Sequence, residues 1–131
     1  MTDPVADFLT HLRNATMRRH ASVDTSSSKL KLEIARVFKE EGFIAGFTAY
    51  TNESGKARLA VELKYDEQGD SVIRGVKRIS RPGLRRHAGY DEILPVYNGQ
   101  GIAVVTTSQG VMTDQACRTH QVGGEILCHI W

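Results

Sequence analysis

The spacing of apolar residues changes at Gly42, and that change most constrains the fold. Before it, Val5, Phe8, Leu9, Leu12 and Ala15 recur at helical spacing, and so do Leu30, Ile34, Val37 and Phe38. Asp3 and Pro4 suit a helix start, which predicts a helix from about Pro4 to Met17. Ser26, Ser27 and Ser28 offer a cap for a second helix, and Gly42 is a natural left-handed terminator. After Gly42 the period is that of a pleated strand. Phe43 to Thr51 is rich in β-formers, Asn52 to Gly55 is turn-like, and Leu59, Val61, Leu63 and Tyr65 alternate with polar residues, which predicts a hairpin.

Asp66 to Asp70 is a polar bend at which the composition becomes strongly basic, so the chain is expected to divide there into residues 1–66 and 67–131. The first part reads α-β-α-β-β. In the second, Ser71 to Ser80 is expected as a strand, Arg81-Pro82-Gly83 as a turn, Leu84 to His87 as a short strand and Asp91 to Val96 as one helical turn. Gly101 to Thr107 is an apolar strand, and Val111 and Met112 sit beside a hydroxyl-rich bend. Thr113 or Asp114 caps a short helix to about His120, Gly123-Gly124 breaks it, and Glu125 to Trp131 closes the chain as a strand. The class is α+β: two small packed halves, the second mostly β with one short helix.

Charge separates the function classes. The protein of 131 residues carries a net +2. Yet between Asp70 and Asp91 stand Arg74, Lys77, Arg78, Arg81, Arg85 and Arg86 with no acid among them. A second acid-free window, Phe8 to Val23, holds Arg13, Arg18 and Arg19. Either cluster alone reads as a solvated face; two together point to a polyanionic partner. The longest uninterrupted apolar run, around Gly101 to Val105, falls far short of the roughly 20 residues a membrane helix needs. The start, MTDPVADFL, lacks the pattern of a secretory or transit peptide, so a cytoplasmic location is expected.

The templates for chemistry fail on single residues. Gly99-Gln100-Gly101 begins a dinucleotide pattern, but Val104 stands where the third glycine belongs. Ser108-Gln109-Gly110 is half a nucleophile elbow, with Thr106 in place of the leading glycine. No lysine follows a glycine-rich loop. Cys117 with His120 and Cys128 with His129 have the right ligand types for zinc, but adjacent residues in a strand face opposite ways. No catalytic residue, metal, cofactor or small-molecule substrate is therefore expected. Thr106-Thr107-Ser108-Gln109-Gly110 is more informative, because it puts three hydroxyls and a permissive glycine at a strand end. Such a loop can bond sugar, phosphate and base edges without burying a charge. Glu125 after Gly123-Gly124 repels phosphate, unless it positions a loop or accepts from a base amino group.

SKLKLEIARVFKEEGFI (Ser28 to Ile44), ISRPGLRR (Ile79 to Arg86), YDEIL (Tyr90 to Leu94) and the block from Gly101 to Trp131 resemble the family of the eighth protein of the bacterial small ribosomal subunit. DPVADFLTHLRNA, Asp3 to Ala15, is similar to that family's first helix. The resemblance implies an α-β-α-β-β half joined to a mostly β half, and a protein that binds the central domain of small-subunit ribosomal RNA early in subunit assembly. It implies an RNA site at Thr106, Thr107, Ser108, Gly110 and Glu125. Arg81, Arg85 and Arg86 would hold backbone, His87 or Tyr90 would stack on a base, and Arg18, Arg19, Lys29 and Lys31 would meet a neighbouring RNA helix. Neighbouring small-subunit proteins are the other expected partners, and the ribosome the expected location, in a bacterium or an organelle alike. The family usually has Tyr where His87 stands and Lys where Gln109 stands; His can still stack on a base, while the second departure removes one phosphate contact, which implies either a lower affinity or compensation by Arg86. The alternative reading is a small protein-interaction module that docks through an exposed C-terminal strand and Trp131.

Overall fold

The computed structural model describes residues 3–131. Within it the chain forms two compact units, Val5–Arg74 and Gly75–Trp131, the latter taking in Asp3 and Pro4. In the first unit α1 (Pro4–Met17) buries Val5, Phe8, Leu9, Leu12 and Ala15, the stripe its spacing predicts. β1 (Ser22–Ser26) follows. α2 (Lys29–Glu40) is capped by the Ser28 hydroxyl, which accepts from the Lys31 amide at 3.1 Å. It ends where Gly42 turns to φ 83° and the Phe43 amide reaches back to the Phe38 carbonyl at 2.8 Å. β2 (Ile44–Thr51) and β3 (Ala57–Leu63) make the expected hairpin, and β1 adds to its other side to give an antiparallel sheet ordered β1-β3-β2. Phe8, Leu12, Ile34, Phe38, Leu59 and Val61 are fully enclosed in this unit.

The second unit holds β4 (Val76–Arg78), β5 (His87–Ala88), a tight turn (Val96–Gly99), β6 (Ile102–Thr107), β7 (Gly110–Thr113), α3 (Asp114–His120) and β8 (Gly124–Ile130). Its antiparallel sheet runs β4-β8-β6-β7, with β5 also pairing β8. Ala103, Val104, Val105, Cys117, Leu127 and Ile130 form the interior. Thr113 is the cap of α3, its hydroxyl accepting from the Ala116 amide at 3.1 Å. Arg78 pairs with Asp3 at 3.2 Å and donates to the Leu127 carbonyl at 2.7 Å. No described helix is long and apolar enough to cross a membrane.

The structure corrects several expectations. Of Ser71 to Ser80 only Val76–Arg78 is a strand, because a strand lasts only where a partner faces it: Ser71 bridges Tyr65, while β4 pairs with Cys128 to Ile130. Leu84 folds back on Arg81, so the next strand is His87–Ala88. Asp91 to Pro95 is not helical; Pro95 is extended (ψ 143°) and disfavours helix before it, and in the tight turn that follows Tyr97 and Asn98 take left-handed angles, φ 47° and 55°. Val111 and Met112 do sit beside the hydroxyl-rich bend, and there they form part of β7, paired to Thr106 and Val105.

Candidate nucleic-acid interface

β8 is the middle of the site. At its start Glu125 stands opposite His87 of β5 on one side and opposite Thr106 of β6 on the other. Directly opposed residues of an antiparallel ladder point to the same face, so His87, Glu125 and Thr106 form one row across three strands. In the next row lie Ala88, Gly124 and Thr107. The glycines make this close approach possible. A Cβ on Gly124 would lie 2.1 Å from the Thr106 carbonyl oxygen, and one on Gly123 would lie 2.4 Å from that of Ala88. The hydroxyl turn and the arginine segment are thus held at the same end of one sheet, with only β8 between them.

The turn itself spans Thr107 to Gly110. Thr107 Oγ1 donates to the Gly110 carbonyl at 2.8 Å and accepts from the Gln109 amide at 3.0 Å, so this hydroxyl shapes the turn. Gly110 takes φ 112°, a conformation few other residues adopt. Ser108 and Gln109 are left exposed at the tip, while Thr106 and Thr107 are half-buried.

On the other flank, the segment after β4 leaves the sheet at Ser80 and returns at Arg86. Ser80 donates its amide to the Ile126 carbonyl at 3.1 Å, and Ile126 donates its own to the Arg86 carbonyl at 2.8 Å. Between them Arg81 and Leu84 exchange two backbone bonds of 3.0 Å around Pro82-Gly83. Arg81, Arg85, Arg86 and His87 are all exposed, and Tyr90 stands partly exposed just beyond. Among the described residues neither Arg81 nor Arg86 is paired with a carboxylate. Arg85 is paired with Glu125 at 3.0 Å, with 53% of its side chain still exposed against 15% for Glu125.

Glu125 does not project freely. Burial by itself would raise its carboxyl, but hydrogen bonds from the Ser80 hydroxyl and Arg85, helped by the nearby charges of Arg85 and His87, outweigh it and hold the group below the ordinary glutamate value. Ser80 was invisible as a site residue in the sequence. It is fully buried, accepts from the Arg86 amide at 3.1 Å and donates to Glu125 Oε2. A serine two residues before Pro-Gly in a basic segment was the only signal, and its partner lies far along the chain.

The first unit carries cations of its own. Arg18 and Lys29 are exposed; Arg19 has φ 57°, donates to the Gly69 carbonyl and pairs with Asp70 at 3.5 Å. Lys31 is not at the surface as expected. It is 3% exposed, and its ammonium donates to the Ser26 carbonyl at 2.9 Å and the Ser26 hydroxyl at 3.1 Å. Its position in α2 puts it on the packed side, where its charge serves the end of β1 instead of a partner.

The alternative docking mode also meets the structure. β8 is an interior strand, paired on both edges, so it offers no free edge for strand addition. Trp131 exchanges backbone bonds of 3.0 Å with Gly75 and packs against Tyr97 with ring centres 4.7 Å apart. Cys117 and Cys128 are buried free thiols, and no three His, Cys, Asp or Glu side chains converge as metal ligands among the described residues.

Comparison with known proteins finds relatives over nearly the whole chain. The family described as Ribosomal protein S8 matches residues 3–131. The chain is 50% identical to the small ribosomal subunit protein uS8 of Acholeplasma laidlawii and 53% identical to that of Acidobacterium capsulatum, covering 100% of this chain and 98% of each relative. It is 47% identical to the corresponding protein of Clostridioides difficile, with the same coverage.

Proposed function

The chain belongs to the ribosomal protein S8 family, as a structural protein of the small ribosomal subunit, and from that premise we propose that it binds the central domain of small-subunit ribosomal RNA directly and supports assembly of the subunit. The observation that carries this reading is the row His87, Glu125, Thr106, which brings an exposed hydroxyl turn and an exposed arginine segment to one end of one sheet. An RNA duplex hides its major groove and offers a shallow minor groove, ribose hydroxyls and irregular loops. Ser108 suits those features because it donates and accepts without charge. Thr106, Thr107 and Gly110 shape the turn that presents it. Arg81, Arg85 and Arg86 hold the flanking phosphates, and His87 or Tyr90 stacks on an unpaired base.

The first unit adds Arg18, Arg19 and Lys29 as phosphate-binding groups on a further RNA stretch, and Lys31 takes no part. Neighbouring small-subunit proteins complete the surroundings, within cytoplasmic ribosomes. No catalysis is needed for this role. Binding one RNA fold better than its competitors moves the population towards the form that assembles.

The test separates charged from neutral groups. Replacing Arg85 and Arg86 together by Ala should reduce the slope of log affinity against log salt by about 1 to 2, at roughly 0.7–0.9 for each phosphate that is no longer neutralised. Ser108→Ala should weaken binding about fivefold with the slope unchanged, the effect of one neutral hydrogen bond. Binding of a central-domain transcript by filter retention across a salt series measures both. An unaltered slope in the double variant removes those arginines from the interface, and parental affinity in Ser108→Ala removes the turn.

A further inference from the structure

We propose that Ser80 is a positioning residue for the arginine segment, and that Glu125 anchors that segment through Ser80 and Arg85 instead of reading a base. The proposal rests on the RNA-binding reading above and assigns the work inside that site. A carboxylate in a surface built for phosphate needs a reason to be there. Its Oε2 accepts from both the Ser80 hydroxyl and, at 3.0 Å, from Arg85, and the side chain is only 15% exposed. One acceptor atom therefore ties together the first and a late residue of the segment.

Ser80 completes the tie. Its oxygen accepts the Arg86 amide at 3.1 Å while its proton goes to Glu125, and its own amide is held by Ile126, which in turn donates to the Arg86 carbonyl. The neck of the segment is closed through both a side chain and the backbone, and the Arg81–Leu84 bridge closes its tip. Alanine would supply neither the donor nor the acceptor, and would leave the Arg86 amide and a carboxylate oxygen short of a partner in a dry place. Arginine carries large rotamer freedom, so a segment already fixed at its neck loses less entropy when its guanidinium groups meet phosphates. Arg85 spends one of its five N–H donors on Glu125 and remains half-exposed, so the others stay free for phosphate.

The experiment uses the full chain, with Ser80→Ala, Glu125→Gln, the double replacement of Arg85 and Arg86 by Ala, and each single change combined with the double. The probe is a transcript of the small-subunit ribosomal RNA central domain, bound across a salt series, and amide hydrogen exchange is followed at Arg86 and, as a folding control, at Val104. Ser80→Ala should lower affinity about tenfold, shallow the salt slope, and lose most of that effect where the arginines are already gone. Arg86 amide exchange should accelerate at least about tenfold while Val104 stays protected. Unchanged Arg86 protection in Ser80→Ala overturns the proposal, as does a Ser80→Ala loss that multiplies with the arginine loss. A Glu125→Gln loss that persists in full without the arginines would make Glu125 a direct reader and overturn its anchoring role. A parent protein that ignores the transcript refutes the RNA reading itself, while Arg86 exchange still decides whether Ser80 holds the neck.

Discussion

Replacing Gly124 by Ala tests whether a glycine seam clamps the two flanks of the interface. The new Cβ would stand 2.1 Å from the Thr106 carbonyl oxygen and 3.2 Å from Thr107 Cα, where real Cβ atoms keep at least 3.0 Å from their neighbours. Both obstacles are backbone, so no rotamer change relieves them, and β6 must move away from β8 at that row. Forcing a methyl into packed space costs about 1–3 kcal/mol. A disturbed ladder hydrogen bond adds about 1 kcal/mol. Gly124 does not need a left-handed backbone, so alanine's stiffer unfolded chain offsets about 0.5–1 kcal/mol. The net loss is about 1–3.5 kcal/mol, which at an m of about 2 kcal/mol/M should lower the urea midpoint by about 0.5–2 M. Circular dichroism and Trp131 fluorescence report it, and RNA affinity should fall in parallel as the Ser108 turn moves with β6. Gly83→Ala is the control, since nothing lies within 4 Å of a Cβ there. A Gly124→Ala midpoint equal to that of Gly83→Ala would refute the seam.

Three further outcomes are expected. The depressed Glu125 carboxyl contributes stability that is complete above the ordinary glutamate value of 4.5 and is lost as pH falls through its folded value. Urea midpoints of the parent and Glu125→Gln should therefore converge on acidification below pH 4.5, and parallel curves would contradict the pairing. Gly75→Ala would put a Cβ 2.4 Å from the Trp131 ring, displacing the indole from Tyr97 at a cost of about 1–3 kcal/mol. Because Trp131 is the only tryptophan, a shifted emission maximum reads this directly, and an unshifted one counts against the packing of Gly75 on the indole. Burial pushes the Cys128 thiol up to about 12, and burial followed by the Asp114 charge pushes Cys117 up as well. Neither should react with a thiol reagent at neutral pH before denaturant is added; rapid labelling of the native protein would show otherwise.

What was legible in the sequence was local. The buried stripe of α1, the Ser28 cap, the left-handed Gly42, the β2–β3 hairpin and the Thr113 cap all follow from residues within a turn or two of one another, where spacing and backbone preference decide the outcome. The charge windows and the hydroxyl stretch were readable for the same reason. Pairing was not. β4 and β5 are short segments that exist because β8 faces them, and β8 is an interior strand because β6 covers its other edge. Lys31 reads as one more cation until packing buries it against Ser26. Ser80 reads as an ordinary turn serine until the fold brings Glu125, distant in sequence, to its hydroxyl. Burial and hydrogen-bond partnership are properties of the assembled sheet, because a group's cost or value depends on which other group excludes water from it.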